Sequence, residues 1–421
     1  MINYLLSRMN SGFVRSVALV SGGAVVSQGL TVAVTPILTR LFSPESFGAL
    51  GAFVSALTIV VSIGSLKYEL AIPQVKSAKH ARELAILAFA IVFLLSIFSA
   101  IIIAALKNLS PLEIDSYYWL LPLGLLFAGG FQIATYIAIR QKNFSALTTA
   151  NIKKSLVQAM LQIAAGLMSL PGIFLIVGYV VSQGAAGFKI LFFALYGHKI
   201  PHRLRLAALS KKFARFPLLA APASVLNAAA TNISPFILIF YFGLHEAGLF
   251  ALAQRAMGAP MAFLGNAIAN VYLSEIPRLW EDSPERVRSF YIKTLKALLL
   301  LGLPLVTVSA GFLYYTVDYI FGDLWSGAAT TVIVLAPLFL GQFVVSPLSQ
   351  TLNVIGRQDV QLKWDALRLV VPNFGLVIAA HLGCEFDQAL FIFSCLMFVV
   401  YLINIAVTLV VMRSQSAKSL L

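Results

Sequence analysis

The chain has 421 residues, 60% of them hydrophobic and only 11% charged, with a mean hydropathy of +0.90. Soluble chains typically carry about 25% charged residues, so this composition excludes a soluble enzyme or receptor and identifies an integral membrane protein. The formal net charge of +14 invites a nucleic-acid reading, which the distribution of the charges along the chain excludes.

The stretch Met1–Asn10 is too polar, and its apolar part too short, for a cleaved signal peptide; the first true helix is expected to direct insertion. Apolar runs between polar breaks predict an all-α membrane protein of about 12 transmembrane helices, over 17–38, 47–73, 84–106, 117–139, 148–169, 173–196, 216–241, 248–273, 290–316, 328–352, 364–383 and 389–411. The first span carries Pro36 and leads into the polar turn RLFSPESFG, Arg40 to Gly48. The second span, a helix of about 27 residues, holds Lys67 and Glu69 near its far end. Two places apart on a helix, these point to different sides, so mutual pairing is expected to be poor. The fifth span places Lys153 and Lys154 about one turn inside, where they cannot share a face. Lys189 lies about 24 Å into the sixth span by helical rise. The basic stretch 197–215 follows, expected to lie along the anionic inner leaflet. The eighth span carries Arg255, with no acid within four residues on its own helix. Lys293 and Lys296 in the ninth can snorkel to the interface. The eleventh holds Asp365 and Arg368, and Cys384 and Cys395 read as inert apolar fillers.

Loop charges orient the chain. The loops on one side of the predicted spans hold 20 Lys and Arg, whereas the opposite loops hold two, Arg40 and Lys107. This positive-inside bias places both termini in the cytoplasm, and the basic balance is a topology code with no nucleic-acid partner implied.

Landmarks repeat. Thr35-Pro36 and the turn ending at Gly48 match Ser234-Pro235 and the turn 243–248. Leu121-Pro122 with Arg140-Gln141 matches Ala336-Pro337 with Arg357-Gln358. The expected organisation is an N-terminal six-helix lobe over 1–196, a basic cytoplasmic linker over 197–215 and a C-terminal six-helix lobe over 216–421. Even span numbers give the halves one orientation, hence a parallel pseudo-two-fold repeat. Proline inside the spans marks candidate bends, Pro36 and Pro235 foremost. The row Gly178, Ser182 and Ala186 is a close-packing feature.

Catalytic chemistry is missing from the pattern. No Gly-x-x-x-x-Gly-Lys-Ser/Thr loop occurs, the five histidines are scattered, and no Ser-His-Asp set or carboxylate pair stands out. No catalytic residue, cofactor or metal is therefore expected. Within the spans, eight bases face two acids, Glu69 and Asp365. Internal pairing cannot neutralise that surplus, and an anionic ligand accounts for it.

The turn LFSPESFG at 41–48, followed by SLKYELAI at 65–72, resembles the polysaccharide-biosynthesis (O-antigen type) flippases. These belong to the multidrug/oligosaccharidyl-lipid/polysaccharide exporter superfamily. The resemblance implies translocation of undecaprenyl-diphosphate-linked oligosaccharide repeats across the bacterial inner membrane by alternating access. On that reading Arg255, Lys67, Lys189, Arg368 and Lys153 form a cationic substrate-binding set, and Glu69 is the ion-coupling candidate. The implied partners are the lipid-linked oligosaccharide and membrane lipid, with the polysaccharide polymerase machinery as a candidate partner and a monomer as the expected state. A membrane-embedded sugar polymerase or ligase is one alternative, although the outer loops are short. A multidrug exporter of the same fold is the other, although cationic drugs call for acids where bases dominate.

Overall fold

The computed structural model describes residues 11–109, 116–195 and 203–418. Among these the regular elements are all helical. The chain divides into two compact units, Met1–Phe42 with Ala49–Ala228, and Ser43–Gly48 with Ala229–Leu421.

The first unit takes α1 (Ser11–Leu41), most of α2 (Pro44–Ile63), α3 (Ala78–Leu109), α4 (Leu121–Arg140), α5 (Phe144–Leu167), α6 (Ile173–Leu195), α7 (Arg203–Lys212) and the start of α8 (Ala221–Asn232). Small residues set the helix approaches. Gly178, Ser182 and Ala186 are buried along α6, and a Cβ on Gly178 would press on Gln162 of α5. The expected basic linker contains α7, whose Arg205 reaches Glu83 of α3 at 3.2 Å. Residues 197–202 of that linker lie outside the described residues.

The second unit holds α9 (Ser234–Asp282), α10 (Pro284–Phe321), α11 (Gly327–Val334), α12 (Ala336–Val345), α13 (Thr351–Val354), α14 (Gln358–His381) and α15 (Phe386–Lys418). The 49 residues of α9 are two helices. Gly243, with φ 90 and ψ 176, breaks them, in a conformation open only to glycine. Its core includes Tyr272, Tyr291, Trp325, Phe339 and Phe393, all fully or nearly buried. At the start of α12 the freed Leu338 N–H donates to Ser394 Oγ of α15 at 3.1 Å, satisfying an orphan helix donor from a neighbour.

Eight helical segments are long and apolar enough to cross a membrane, or nine counting the pair bent by 55° at Asp323–Val334 and Ala336–Val354, among the described residues. The expected count of 12 exceeds this for physical reasons. One of those segments, Phe216–Gly258, runs through the Gly243 break. α5 and α14 have 24 residues each but carry Lys153 and Lys154, and Asp359, Lys363, Asp365 and Arg368. Outward faces are apolar, with Leu94, Phe98 and Ile101 exposed on α3 and Leu300, Val308 and Phe312 on α10. Such a surface suits lipid tails, and the chain is a multi-pass membrane protein.

The matched prolines differ in placement. Pro36 sits inside α1, whereas Pro235 is the second residue of α9, where proline fits the first turn without a kink. Pro122 and Pro337 do correspond, each opening a helix after a leucine N-cap, Leu120 and Leu335.

Candidate functional site

The second predicted span is not one helix. α2 ends at Ile63, and a short 3-10 helix, Tyr68–Ala71, follows an irregular stretch. Within that stretch Leu66 and Lys67 take left-handed φ values of 50 and 62. Neither residue is glycine, so each costs roughly 1–2 kcal/mol of backbone strain. Apolar packing holds the segment, with Tyr68, Ala71 and Ile72 buried against Leu84, Ala88 and Ile133.

This unwinding overturns the expected separation of Lys67 and Glu69. The Lys67 Nζ lies 3.8 Å from Glu69 Oε1 because the left-handed turn swings the lysine alongside. Glu69 is fully buried. The Ser65 hydroxyl donates to its Oε2, and Gln132 Nε2 of α4 donates to Oε1 at 2.9 Å. Three donors from two elements thus hold a carboxylate inside the first unit.

The other cations of that unit stand apart from this pair. Lys153 and Lys189 are exposed, and among the described residues no ion pair joins either to Glu69. Lys154 is the inward lysine of its pair. It is partly buried, with its ammonium 5.2 Å from the Phe131 ring centroid. Adjacency in the sequence showed that Lys153 and Lys154 diverge but carried no signal for which one turns inward.

In the second unit the two arginines differ. Arg368 is buried with Asp365 one turn earlier on α14, guanidinium to carboxylate 3.3 Å, and lies 4.6 Å from the Trp364 ring centroid. Gln361 Nε2 donates to the other Asp365 oxygen at 3.3 Å. Arg255, on the second helix of α9, is partly buried and makes no ion pair or hydrogen bond among the described residues. Its guanidinium lies 6.0 Å from the Phe47 ring centroid. Phe47 in turn meets Trp325 edge to face at 4.9 Å. A ring face attracts a cation by about 0.5–2 kcal/mol, which leaves the charge unneutralised.

Phe47 belongs to the turn Ser43–Gly48, which clusters with the second unit. The turn is fastened there by reciprocal contacts. A Cβ on Gly48 would collide with the Leu244 carbonyl oxygen, and one on Gly248 with that of Pro44. Between these contacts, His245 Nδ1 and Glu45 Oε1 pair at 2.9 Å. Residue n+4 of each turn meets residue n of the other, at an offset of 200 in sequence. The repeat of the two turns was legible; their meeting was not, because glycine spacing alone does not say what approaches it.

A family model for a polysaccharide biosynthesis protein matches residues 37–330. The lipopolysaccharide biosynthesis protein WzxC of Escherichia coli (strain K12) is 24% identical over 215 residues, 49% of this chain and 42% of that protein. The teichuronic acid biosynthesis protein TuaB of Bacillus subtilis (strain 168) is 24% identical over 258 residues, 59% and 51%. The chain spans about half the length of these curated relatives. Among solved structures, an inward-facing multidrug resistance MATE family transporter of the MOP superfamily superposes with a TM-score of 0.69 at 15% identity, covering 93% of this chain and 95% of that one. A MOP superfamily transporter from Pyrococcus furiosus, described as having a binding pocket of reverse polarity, gives 0.61 at 15% identity over 96% and 94%. At such identity the likeness concerns the fold.

Proposed function

This chain belongs to the polysaccharide biosynthesis protein family, and from that premise we propose that it is a flippase for lipid-linked oligosaccharides. Its substrate is an undecaprenyl-diphosphate-linked repeat unit, moved across the bacterial inner membrane by alternating access of two six-helix lobes, 1–196 and 216–421. Both termini are cytoplasmic, and the protein acts as a transporter rather than an enzyme. The observation that carries the reading is Arg255, a partly buried guanidinium with an aromatic ring beside it and, among the described residues, no carboxylate paired with it. An arginine at the centre of a span costs about 3 kcal/mol on insertion scales, and a structural arginine would bring its acid along, as Arg368 does. The planar fork suits phosphate oxygens bidentately. The proposed cationic set also includes Lys67, Lys153, Lys189 and Arg368, of which Lys67 and Arg368 are each shared with an acid, and Glu69 is the coupling candidate.

The test is complementation of a host lacking its chromosomal copy, reading surface polysaccharide and the sidedness of the lipid-linked intermediate. Arg255→Ala is expected to insert at normal abundance yet leave the intermediate at the inner face, with flipping reduced at least tenfold. Arg255→Lys retains part of the activity, since charge survives without the fork. Wild-type flipping by Arg255→Ala would overturn the assignment.

A further inference from the structure

The helix that carries Arg255 has a second polar feature on the same side. Asn266 is 11 residues further on, which at 3.6 residues per turn and 1.5 Å rise puts it on the same face about 16 Å away. It lines a cavity of about 170 Å³ together with Gln342 of α12 and Ser346 of the turn that follows. All of these residues belong to the second unit.

Two independent observations give the cavity a chemistry. First, Asn266, Gln342 and Ser346 are exposed, and among the described residues none uses its side chain in a hydrogen bond. Together they offer amide and hydroxyl donors and acceptors with no ionisable group, the complement of a polyhydroxyl ligand rather than of an ion. Second, the wall is bare without a packing reason. A Cβ at Gly258 would meet nothing within 4 Å, and one at Gly265 only the Pro347 ring at 3.8 Å. Neither glycine has a positive φ. Glycine costs a helix about 1 kcal/mol relative to alanine, so the helix forgoes stability here while leaving room beside the polar groups.

We propose that this cavity is a subsite for one neutral sugar residue of the substrate, with Arg255 meeting the anionic group further along the same helix face. The inference rests on the flippase reading above. Its test uses the full chain in lipid nanodiscs and two probes, a polyprenyl diphosphate and the same lipid bearing a single N-acetylhexosamine. The wild type is expected to bind the glycosylated lipid about tenfold tighter, the size of one or two well-made hydrogen bonds. Gln342→Leu, which removes the hydrogen-bonding groups, and Gly265→Val, which fills the space, should each bring that ratio to about one while leaving the affinity for the bare lipid unchanged. Arg255→Ala should weaken both probes alike. Cavity variants that keep the wild-type ratio, or a wild type that binds both probes equally, overturn the subsite while the Arg255 dependence still supports the flippase reading. If the wild type binds neither probe, both inferences fall.

Discussion

Glu69 is a carboxylate held by a lysine, a hydroxyl and an amide inside an apolar unit, and the three donors set what its replacement does. Glu69→Ala strands Lys67 and Gln132 without their acceptor, and breaking a buried pair in this way costs about 3–5 kcal/mol. Glu69→Gln keeps the shape and most of the hydrogen bonds, so it is expected to fold and separate stability from coupling. If Glu69 carries the coupling ion, Glu69→Gln flips lipid at a rate that no longer responds to the proton or sodium gradient. Gradient-dependent flipping at the wild-type rate in proteoliposomes would remove the role. The residue types of this site were legible, since charges inside apolar runs stand out at once. Their geometry was not. The left-handed pair Leu66 and Lys67 has no glycine or asparagine to announce it, and an α-helical reading turned Lys67 away from Glu69. The same limit applied to Lys154, whose inward turn depends on the roll of α5.

At the scale of elements, the start of α2 and the second helix of α9 are fixed by glycines on each side of one contact. Gly48→Ala and Gly248→Ala each press a methyl group on a backbone carbonyl that cannot rotate away, and overpacking of this kind costs roughly 1–3 kcal/mol. The two costs should not add. Once either methyl separates the turns, the second finds room, so the double variant is expected to lose clearly less than the sum, as a thermal-melting cycle can measure. Additive losses would mean that the turns adjust independently. Long apolar helices such as α3, α10 and α15 were legible because lipid demands continuous apolar faces. The Gly243 break in α9 was legible too, at the polar turn 243–248. The separation of α11 from α12 at Leu335 was not, since it falls inside one apolar run.

For the whole molecule, loop charge is the feature that a single experiment can test. Cysteines introduced at Ser43 and Ser326 are expected to react with an impermeant thiol reagent in intact cells, and one at Ser210 is expected to remain unlabelled. Labelling at Ser210 in intact cells would overturn the twelve-span topology. Composition made the membrane class legible, and the motifs at 41–48 and 65–72 carried the family resemblance. What they did not convey is that Ser43–Gly48 leaves its chain neighbours and joins the second unit. That membership has a consequence for synthesis. The partners of the turn, Leu244 to Gly248, lie 200 residues downstream, and at about 5–20 residues per second the ribosome takes roughly 10–40 s to deliver them. For that interval Phe47 and the Gly48 face are made but unpaired, and the first hairpin is a nascent intermediate that cannot mature until half the chain has followed it.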